Sequence, residues 1–350
     1  MTRRTAQSLL SGAPLLLAAG RGEVAPNERL RFADPATEGE VFRLTSPKIN
    51  CVLPAAAHHC ISSRGNFLVH CSDRSGNWQV HRLELKQGES RQLTDEPDVL
   101  ISSPAMTADE RQIYYAAGPV VKATAVGGGR DRDVYTAGGN IRAFNVTEDG
   151  LFAVLTAEGR LTLVPLLAKA KAQVLGEGEG MDFLLPRPRR DSLLYRAGAS
   201  WRLVHFDGTV NRVLPAMEGS GGAQWSADGR LILFLKGSVI TELDPDTGVE
   251  KTVAKTSAFS QFARNADGTV FAGLSGSKAQ PHVLLLLRQT RRERTVSEHK
   301  ASTVAAPFFA PNSQRLFYQS DRDGKMALYM VPLTGCSKRP KTLPRSSACL

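Results

Sequence analysis

A short pattern of apolar and polar residues recurs seven times along the chain, about every 40 residues. In each copy an apolar strand leads into a tight polar turn, and a second apolar strand follows. The turn markers lie 38 to 45 residues apart and are Gly65, Glu110, Gly150, Asp191, Gly229, Gly268 and Ser313. A repeat of about 40 to 45 residues built from four strands is typical of a β-propeller, because each unit buries its faces only against its neighbours. The pattern therefore predicts an all-β fold, a seven-bladed β-propeller.

The N-terminal part of the chain supplies a strand that the last repeat lacks. The seventh repeat, residues 303–333, shows little strand pattern after Leu333. Residues 40–45 alternate apolar and polar side chains, as a half-buried strand does. We therefore expect this N-terminal strand to close the last blade and to remove an open sheet edge. The predicted boundaries are an N-terminal extension at 21–39, the propeller at 40–333 and a mobile C-terminal tail at 334–350.

The first 20 residues have the three parts of a secretory signal. Arg3 and Arg4 precede an apolar stretch at residues 9–19 that ends on small residues suited to cleavage. The paired arginines also resemble a twin-arginine export signal. The apolar stretch is too short to be a transmembrane helix. We expect a signal peptide at 1–20 and a periplasmic or secreted protein; the alternative is a cytoplasmic protein with a disordered tail.

The charge balance favours anionic partners. The 350 residues include 44 Lys and Arg against 34 Asp and Glu, a formal net charge of +10. We expect an anionic oligosaccharide or a protein partner and no specific nucleic acid, and the alternative is a basic, solvated surface. Basic clusters at residues 187–190 and 288–294 stand at predicted turns, where solvated hairpin tips are favoured over a site for an anionic polymer. The charge pattern does not set an oligomeric state.

Cysteine use and motif content exclude several classes of protein. Five cysteines are too few for a disulfide scaffold, and no CxxC pair supports a thiolate zinc site. Cys60 and Cys71 flank one predicted turn on successive strands, where either a cross-strand disulfide or, as the favoured alternative, two buried thiols would fit. No GxSxG elbow and no GxGxxG or GKS phosphate motif is present.

Several segments resemble one enzyme family, the oligogalacturonate lyases. Residues 31–45 are similar to the opening segment of these enzymes. The other similar segments are residues 60–73, 92–94, 260–273 and 307–329, so that the resemblance covers the chain from about Arg31 to Leu333. Two shorter pieces, residues 34–37 and 320–324, are shared more widely with TolB-like and other WD40-like propellers.

The resemblance implies a seven-bladed propeller that cleaves pectin-derived digalacturonate by β-elimination. It also implies a manganese ion held by histidines and a glutamine, and another histidine that acts as base beside an arginine. The metal-binding stretch of the family corresponds to residues 301–307, which contain no imidazole or carboxamide. A third metal histidine corresponds to a position near Gln261. The base falls within residues 220–225, which include Gln224 but no histidine, and the arginine falls near Ser200, with Arg196 and Arg202 close by.

These departures bear directly on the chemistry. β-Elimination from a uronate needs a cation to withdraw charge from the carboxylate and a base to take the α-proton. Manganese prefers oxygen and imidazole ligands, and the matched positions supply too few of them. We therefore expect a degenerate metal site that holds no metal or other cofactor, and a protein inactive in the usual reaction of the family.

The seven histidines divide into three groups. The pair His58-His59 precedes the first inner strand of blade one, as either a ligand site near the rim of the central channel or a polar junction between loop and strand. His299, near the start of blade seven, is a candidate for a shifted ligand. The remaining four are packed or surface residues of predicted strands: His70, His81, His205 and His282. The candidate ligand-binding residues are therefore His58, His59, Arg196, Arg202, Gln224, Gln261 and His299.

Two functions remain open on this evidence. The first is a lyase-like propeller associated with the breakdown of pectin oligogalacturonides and altered at its metal site. The second is a non-catalytic TolB-like or WD40-like propeller that binds a glycan or a protein partner. The resemblance supports the first, and the missing ligands support the second. No residue is assigned a catalytic role.

Overall fold

Seven antiparallel sheets surround a central channel in a computed structural model that describes residues 20–55, 58–167, 171–275, 277, 282–298 and 301–333. The chain is a seven-bladed β-propeller, and the predicted fold class is confirmed. Residues 1–19 of the predicted signal peptide and the predicted tail at 334–350 lie outside the described residues. Within the described part of the chain, no helix has the length and apolar character needed to cross a bilayer.

Each blade has four strands in chain order from the channel outward. Blade one contains Cys51–Val52, Phe67–Ser72, Gln79–Glu84 and Ser90–Gln92. Blade two contains Ala105–Met106, Gln112–Ala117, Val120–Ala125 and Arg132–Thr136. Blade three contains Ala143–Val146, Phe152–Ala157, Arg160–Pro165 and Gln173–Glu177. Blade four contains Met181–Pro186, Ser192–Ala197, Ser200–His205 and Asn211–Val213, followed by the 3-10 helix Pro215–Met217.

The last three blades follow the same order. Blade five contains Gly221–Trp225, Ile232–Lys236, Val239–Leu243 and Glu250–Lys255. Blade six contains Phe259–Arg264, Val270–Ser275, His282–Leu287 and Arg292–Glu298. Blade seven contains Val304–Phe309, Arg315–Ser320 and Ala327–Pro332 from the C-terminal part of the chain, and its outer strands come from the N-terminal part.

The N-terminal segment contributes strands to both the first and the last blade. Glu40–Arg43 pairs antiparallel with Ala327–Pro332 on the outside of blade seven, in the position expected for residues 40–45. Leu30–Ala33 then pairs with Glu40–Arg43 as a fifth strand. Val24–Ala25 pairs with Ser90–Gln92 as a fifth strand of blade one. The segment predicted as an extension thus contributes two short strands, Val24–Ala25 and Leu30–Ala33, to the sheets.

The core lies between neighbouring blades, where apolar side chains of facing sheets meet. The stacked rings of Tyr318 and Tyr329, 5.4 Å between centroids, are both fully buried. Cys51, Cys60 and Cys71 are buried free thiols, so the favoured alternative for Cys60 and Cys71 is confirmed. Cys71 pairs across strands with Val80 and Val52 and not with Cys60. Burial raises the pKa of the Cys60 thiol to about 12, which keeps it protonated.

The repeated turns explain the sequence period. Six marker residues adopt the left-handed conformation, with φ between 58° and 70°: Gly65, Glu110, Gly150, Gly229, Gly268 and Ser313. In five blades a side-chain oxygen three residues earlier accepts a hydrogen bond from a backbone N–H two residues after the marker. Thr147 and the N–H of Phe152, 3.0 Å apart, are one example. Such side-chain turns fix the hairpin between the first two strands of a blade.

Blade four departs from this pattern. The left-handed residue is Arg189, with φ 59°, and not the predicted marker Asp191. Arg187 occupies the place of the turn-forming Ser, Thr or Asn, and it is buried at 4% exposure although the sequence favoured a solvated hairpin tip. Its guanidinium crosses to blade five, where it donates to the carbonyl of Gly229 and to both carboxylate oxygens of Asp246 at 2.9 and 2.7 Å. The tip of the turn, Arg189 and Arg190, stays exposed, while Arg187 forms a buried ion pair that joins two blades.

Candidate functional site

Four consecutive inner strands carry a β-bulge near their first residues. The strand register shifts at Asp182/Leu185, Gly221/Ala223, Phe259/Gln261 and Ala305/Phe308, in blades four to seven. The inner strand of blade three, by comparison, pairs without a shift. Because all blades have the same strand order, the four bulges lie at one end of the channel, which we call the bulged mouth. Bulges next to binding sites re-aim side chains, so this end is the candidate functional site.

The bulge of blade four presents an aromatic ring beside an ion pair. Phe183 is 44% exposed and has φ 50°, a left-handed conformation that is strained for a bulky residue. Arg196 lies opposite Asp182 on the neighbouring strand and donates from Nε and Nη2 to its two carboxylate oxygens at 2.9 and 2.7 Å. The same guanidinium lies 4.3 Å from the centroid of the Phe183 ring. The hydrogen bonds with Asp182 raise the pKa of Arg196, which stays charged.

Gln224 and Gln261 join neighbouring blades. Gln224 donates from Nε2 to the carbonyl of Phe262 at 2.8 Å, and its oxygen accepts from the backbone N–H of Arg264. The oxygen of Gln261 accepts from the backbone N–H of Ala306 at 2.9 Å. Both carboxamide oxygens therefore already hold the next inner strand in place. Both residues lie on bulged strands, where these bonds are structural contacts between blades, and their role in ligand binding stays a prediction.

The His58-His59 pair lines the channel without forming one site. His58 is buried, and its Nδ1 lies 3.0 Å from the carbonyl oxygen of Pro104 in blade two. Burial lowers the pKa of His58 to about 4, so the ring is neutral at neutral pH. His59 is exposed, and its backbone carbonyl accepts from the N–H of Met106. One imidazole therefore joins two blades while the other faces the channel space.

Of the two remaining predicted residues, one lies away from the bulged mouth and the other is outside the described residues. Arg202 is on the third strand of blade four, where its Nε donates to the Asn211 side chain at 3.0 Å. The register puts it opposite Val213 on the outer strand, away from the channel. His299 lies outside the described residues. Of the seven predicted residues, Gln224 and Gln261 lie on bulged inner strands, and Arg196 lies on the strand paired with the bulge of blade four.

The donor set at the bulged mouth does not fit manganese. Within the described ranges, no three His, Cys, Asp or Glu side chains come together closely enough to hold a metal ion. The oxygen of Gln261 is already bonded to Ala306, and the carboxylate of Asp182 is already paired with Arg196. Manganese requires several free oxygen or imidazole donors in octahedral geometry. The expectation of a degenerate metal site stays a prediction, and we derive no step through a metal.

Comparison with known proteins adds a direct likeness. No family model matches the chain. An oligogalacturonide lyase of Pectobacterium atrosepticum is 21% identical over 382 aligned residues, which cover 89% of this chain and 97% of that protein. An oligogalacturonate lyase of Dickeya dadantii is 20% identical and covers 86% of this chain and 95% of that protein. The chain resembles oligogalacturonate lyases.

Solved structures show the same likeness at the level of the fold. An oligogalacturonate lyase in complex with manganese matches with a TM-score of 0.80 and 19% identity over 90% of this chain and 99% of that one. The oligogalacturonate lyase of Vibrio parahaemolyticus gives a TM-score of 0.81 at 19% identity, over 91% of this chain and 100% of that one. A more distant propeller, the Swd1 domain, gives 0.60 at 13% identity over 80% of this chain and 98% of that one.

Sequence reasoning missed the most distinctive group at the bulged mouth. Asp182 and Phe183 were not among the candidate residues: a regular count back from the turn of blade four puts Phe183 opposite Arg196, and only the bulge brings Asp182 to that position. The doublet Gly221-Gly222 was the available signal for a bulge in blade five, since glycine inside a strand often marks one. No comparable signal precedes Ala306, whose φ of 53° follows from its surroundings.

Proposed function

We propose that this chain is a lyase-like propeller that recognises oligogalacturonides, the uronate fragments of pectin, at its bulged mouth. The observation that carries the proposal is the set of four bulges on consecutive inner strands, with Phe183 and Arg196 at one of them. β-Bulges are over-represented next to active sites, where they re-aim side chains. The similarity to two lyases over most of the chain supports the choice of ligand class.

The residues at this mouth match the chemistry of a uronate chain. A uronate unit has a carboxylate, several hydroxyl groups and an apolar ring face. Arg196 Nη1 has no hydrogen-bond partner among the described residues, so it is free to donate to a carboxylate. Phe183 offers aromatic surface to an apolar sugar face. Arg142 is exposed just before the inner strand of blade three and forms no ion pair within the described chain. It provides a second cation for a repeating anion.

The same residues do not support the usual lyase reaction. Proton abstraction needs a base beside the α-carbon, and the β-elimination of a uronate also needs a strong positive charge on the carboxylate. Gln224 and Gln261 are bonded within the ring of blades, and His58 is buried and bonded to Pro104. We therefore propose that the chain binds oligogalacturonides without manganese-dependent turnover.

Calorimetry with digalacturonate, together with an ultraviolet assay for the unsaturated uronate product, tests both parts. We expect saturable binding and no product, with or without added manganese. Arg196→Gln and Arg142→Gln should each weaken binding by about 10-fold, because each removes a charge-assisted hydrogen bond. Arg160→Gln is the matched control, since Arg160 is an exposed arginine on the third strand of blade three.

Two results would contradict the proposal in different ways. Robust product formation would show that the metal and base functions survive in residues other than those described. Absence of both binding and product would remove the glycan ligand and favour the alternative, a non-catalytic propeller with a protein partner.

A further inference from the structure

The channel contains a cavity on the turn side of the bulges. Its volume is about 530 Å³, and residues of all seven blades line it. In blades four to six the lining begins after the bulge and continues to the turn, as at Pro186, Trp225 and Arg264. Asp182, Gly222 and Gln261 are not part of this lining. In blade seven the bulge residues Ala306 and Pro307 also line it, so the cavity extends from the bulged mouth toward the turns. Its volume is within the usual range of small-ligand pockets.

One permanent cation lies in this cavity, and no described carboxylate is within ion-pair distance of it. Arg264 is the only Arg or Lys among the described lining residues. Its Nε donates to the carbonyl of Trp225 at 2.9 Å, and its Nη1 donates to the carbonyls of Asn265 and Ala266, both at 3.2 Å. It forms no ion pair with any described carboxylate. Three neutral oxygens thus fix the guanidinium in position, and the Asp228 carboxylate acts on its charge only from beyond ion-pair distance.

The second terminal nitrogen of Arg264, Nη2, is the one that can bind a ligand. Nη2 makes no hydrogen bond to any described residue, and it is not among the enclosed atoms that lack a partner. Its N–H groups are therefore open to the cavity and its solvent. Burial lowers the pKa of Arg264, but a guanidinium stays protonated in proteins. A partly desolvated cation of this kind is stabilised by an anion.

The remaining walls define what kind of anion fits. They are largely apolar, with Ile61, Met106, Pro186, Trp225 and Phe308 among them. Glu148 is the one acidic residue of the described lining, so a polyanion would meet repulsion there. Gln224 and Asn145 also line the cavity, but both amides are used in bonds between blades. A single negative charge and an apolar body satisfy this environment better than a sugar chain.

We propose that the turn-side cavity binds a small organic monoanion, an amphiphilic carboxylate whose head group pairs with Arg264 and whose apolar part contacts Trp225 and Phe308. The site does not depend on the proposed oligogalacturonide site. The failure of digalacturonate to bind would leave this proposal unchanged, because the head-group contact is Arg264 and not Arg196 or Arg142.

Titration calorimetry with octanoate on the full chain tests the proposal, with 1-octanol as the uncharged comparison. We expect octanoate to bind with a dissociation constant of about 1 mM or tighter, and octanol at least about 10-fold more weakly. Arg264→Gln should weaken octanoate binding by about 10-fold or more, because the charged hydrogen bond is lost. Arg111→Gln is the control: the Arg111 side chain is 84% exposed at the turn of blade two and does not line the cavity.

If Arg264→Gln does not fold, a second variant that fills part of the cavity tests the same proposal. Ala108 is an exposed turn residue at the rim of the cavity, so Ala108→Trp fills space without removing a hydrogen bond of Arg264. We expect it to weaken octanoate binding while the thermal midpoint stays unchanged. The proposal is overturned by the absence of saturable octanoate binding. It is equally overturned by equal affinity for octanol, or by unchanged affinity in either folded variant.

Discussion

The ion pair between Arg187 of blade four and Asp246 of blade five gives a direct test of how neighbouring blades are held together. Arg187 has a side chain that is 2% exposed, whereas its partner Asp246 is 45% exposed. Asp246→Ala would leave a buried guanidinium whose only acceptor is the carbonyl of Gly229. Removing one partner of a fully buried pair costs about 3–5 kcal/mol. Because solvent already screens the carboxylate, we expect a smaller loss of unfolding free energy, about 2–3 kcal/mol.

The opposite variant should cost less, because the charge that it leaves behind has access to water. Arg187→Met removes the buried cation and keeps an apolar side chain against the ring of Trp225, which lies 5.0 Å from the guanidinium carbon. The main loss is the hydrogen bond to the Gly229 carbonyl, worth about 1–2 kcal/mol. The double variant should cost about as much as Arg187→Met alone, since the charge that makes Asp246→Ala costly is then absent.

Equilibrium unfolding in urea, followed by tryptophan fluorescence, measures these differences. The control is Glu177→Ala, which breaks the exposed pair of Arg160 and Glu177 with 61% and 70% exposed side chains, and it should change stability by less than about 0.5 kcal/mol. The reasoning is refuted if Asp246→Ala matches this control, or if it costs less than Arg187→Met.

Two further predictions concern the closure of the ring and the buried histidines. A chain that starts at residue 20 should keep the thermal midpoint of the full chain. A chain that starts at residue 46 loses the buried Val41 and Leu44 and should melt at least about 10 °C lower. Equal midpoints would contradict the role of the N-terminal strands. Burial lowers the pKa of His81 to about 3 in the folded protein, whereas an exposed histidine in the unfolded chain titrates near 6.5. Below about pH 6.5 the unfolded chain therefore takes up a proton that the folded protein does not, and the unfolding free energy falls with decreasing pH. Unfolding in urea at several pH values between 7.5 and 4.5 measures this loss in the unchanged protein and in His81→Gln. Below pH 6.5 the unfolding free energy of the variant should fall less steeply with pH, by up to about 1.4 kcal/mol per pH unit. Equal slopes for the two proteins would contradict this reasoning.

The fold could be predicted because each repeat has the same local turn, which requires particular residue types at fixed positions. Gly65, Gly150 and Gly229 each adopt a positive φ at the turn, so glycine at a fixed period reports the hairpin directly. Blade four has no such residue, and the marker Asp191 was consequently misplaced. The strand Val24–Ala25 was missed because two residues are too short to show an alternating pattern.

The candidate site could be predicted only in part, because side-chain contacts depend on neighbours that are distant in sequence. Gln261 was found at a bulged strand, but its bond to Ala306, 45 residues away, follows from the packing of two blades. The environment of His58 likewise comes from Pro104 in blade two. Arg196 and Asp182 are an intermediate case, since their pairing lies within one hairpin but depends on its bulge, without which Phe183 would lie opposite Arg196.

The joining of the two ends of the chain has a consequence for biosynthesis. Thr45 and Leu328 are hydrogen-bonded at 3.0 Å although they are 283 residues apart in sequence. The N-terminal strand therefore leaves the ribosome long before its partner has been made, and its polar edge stays unpaired throughout translation. The earlier blades can assemble meanwhile, but the final sheet forms only after synthesis has passed residue 327. Factors that shield exposed strand edges during this interval would govern how much of the nascent protein reaches the native state.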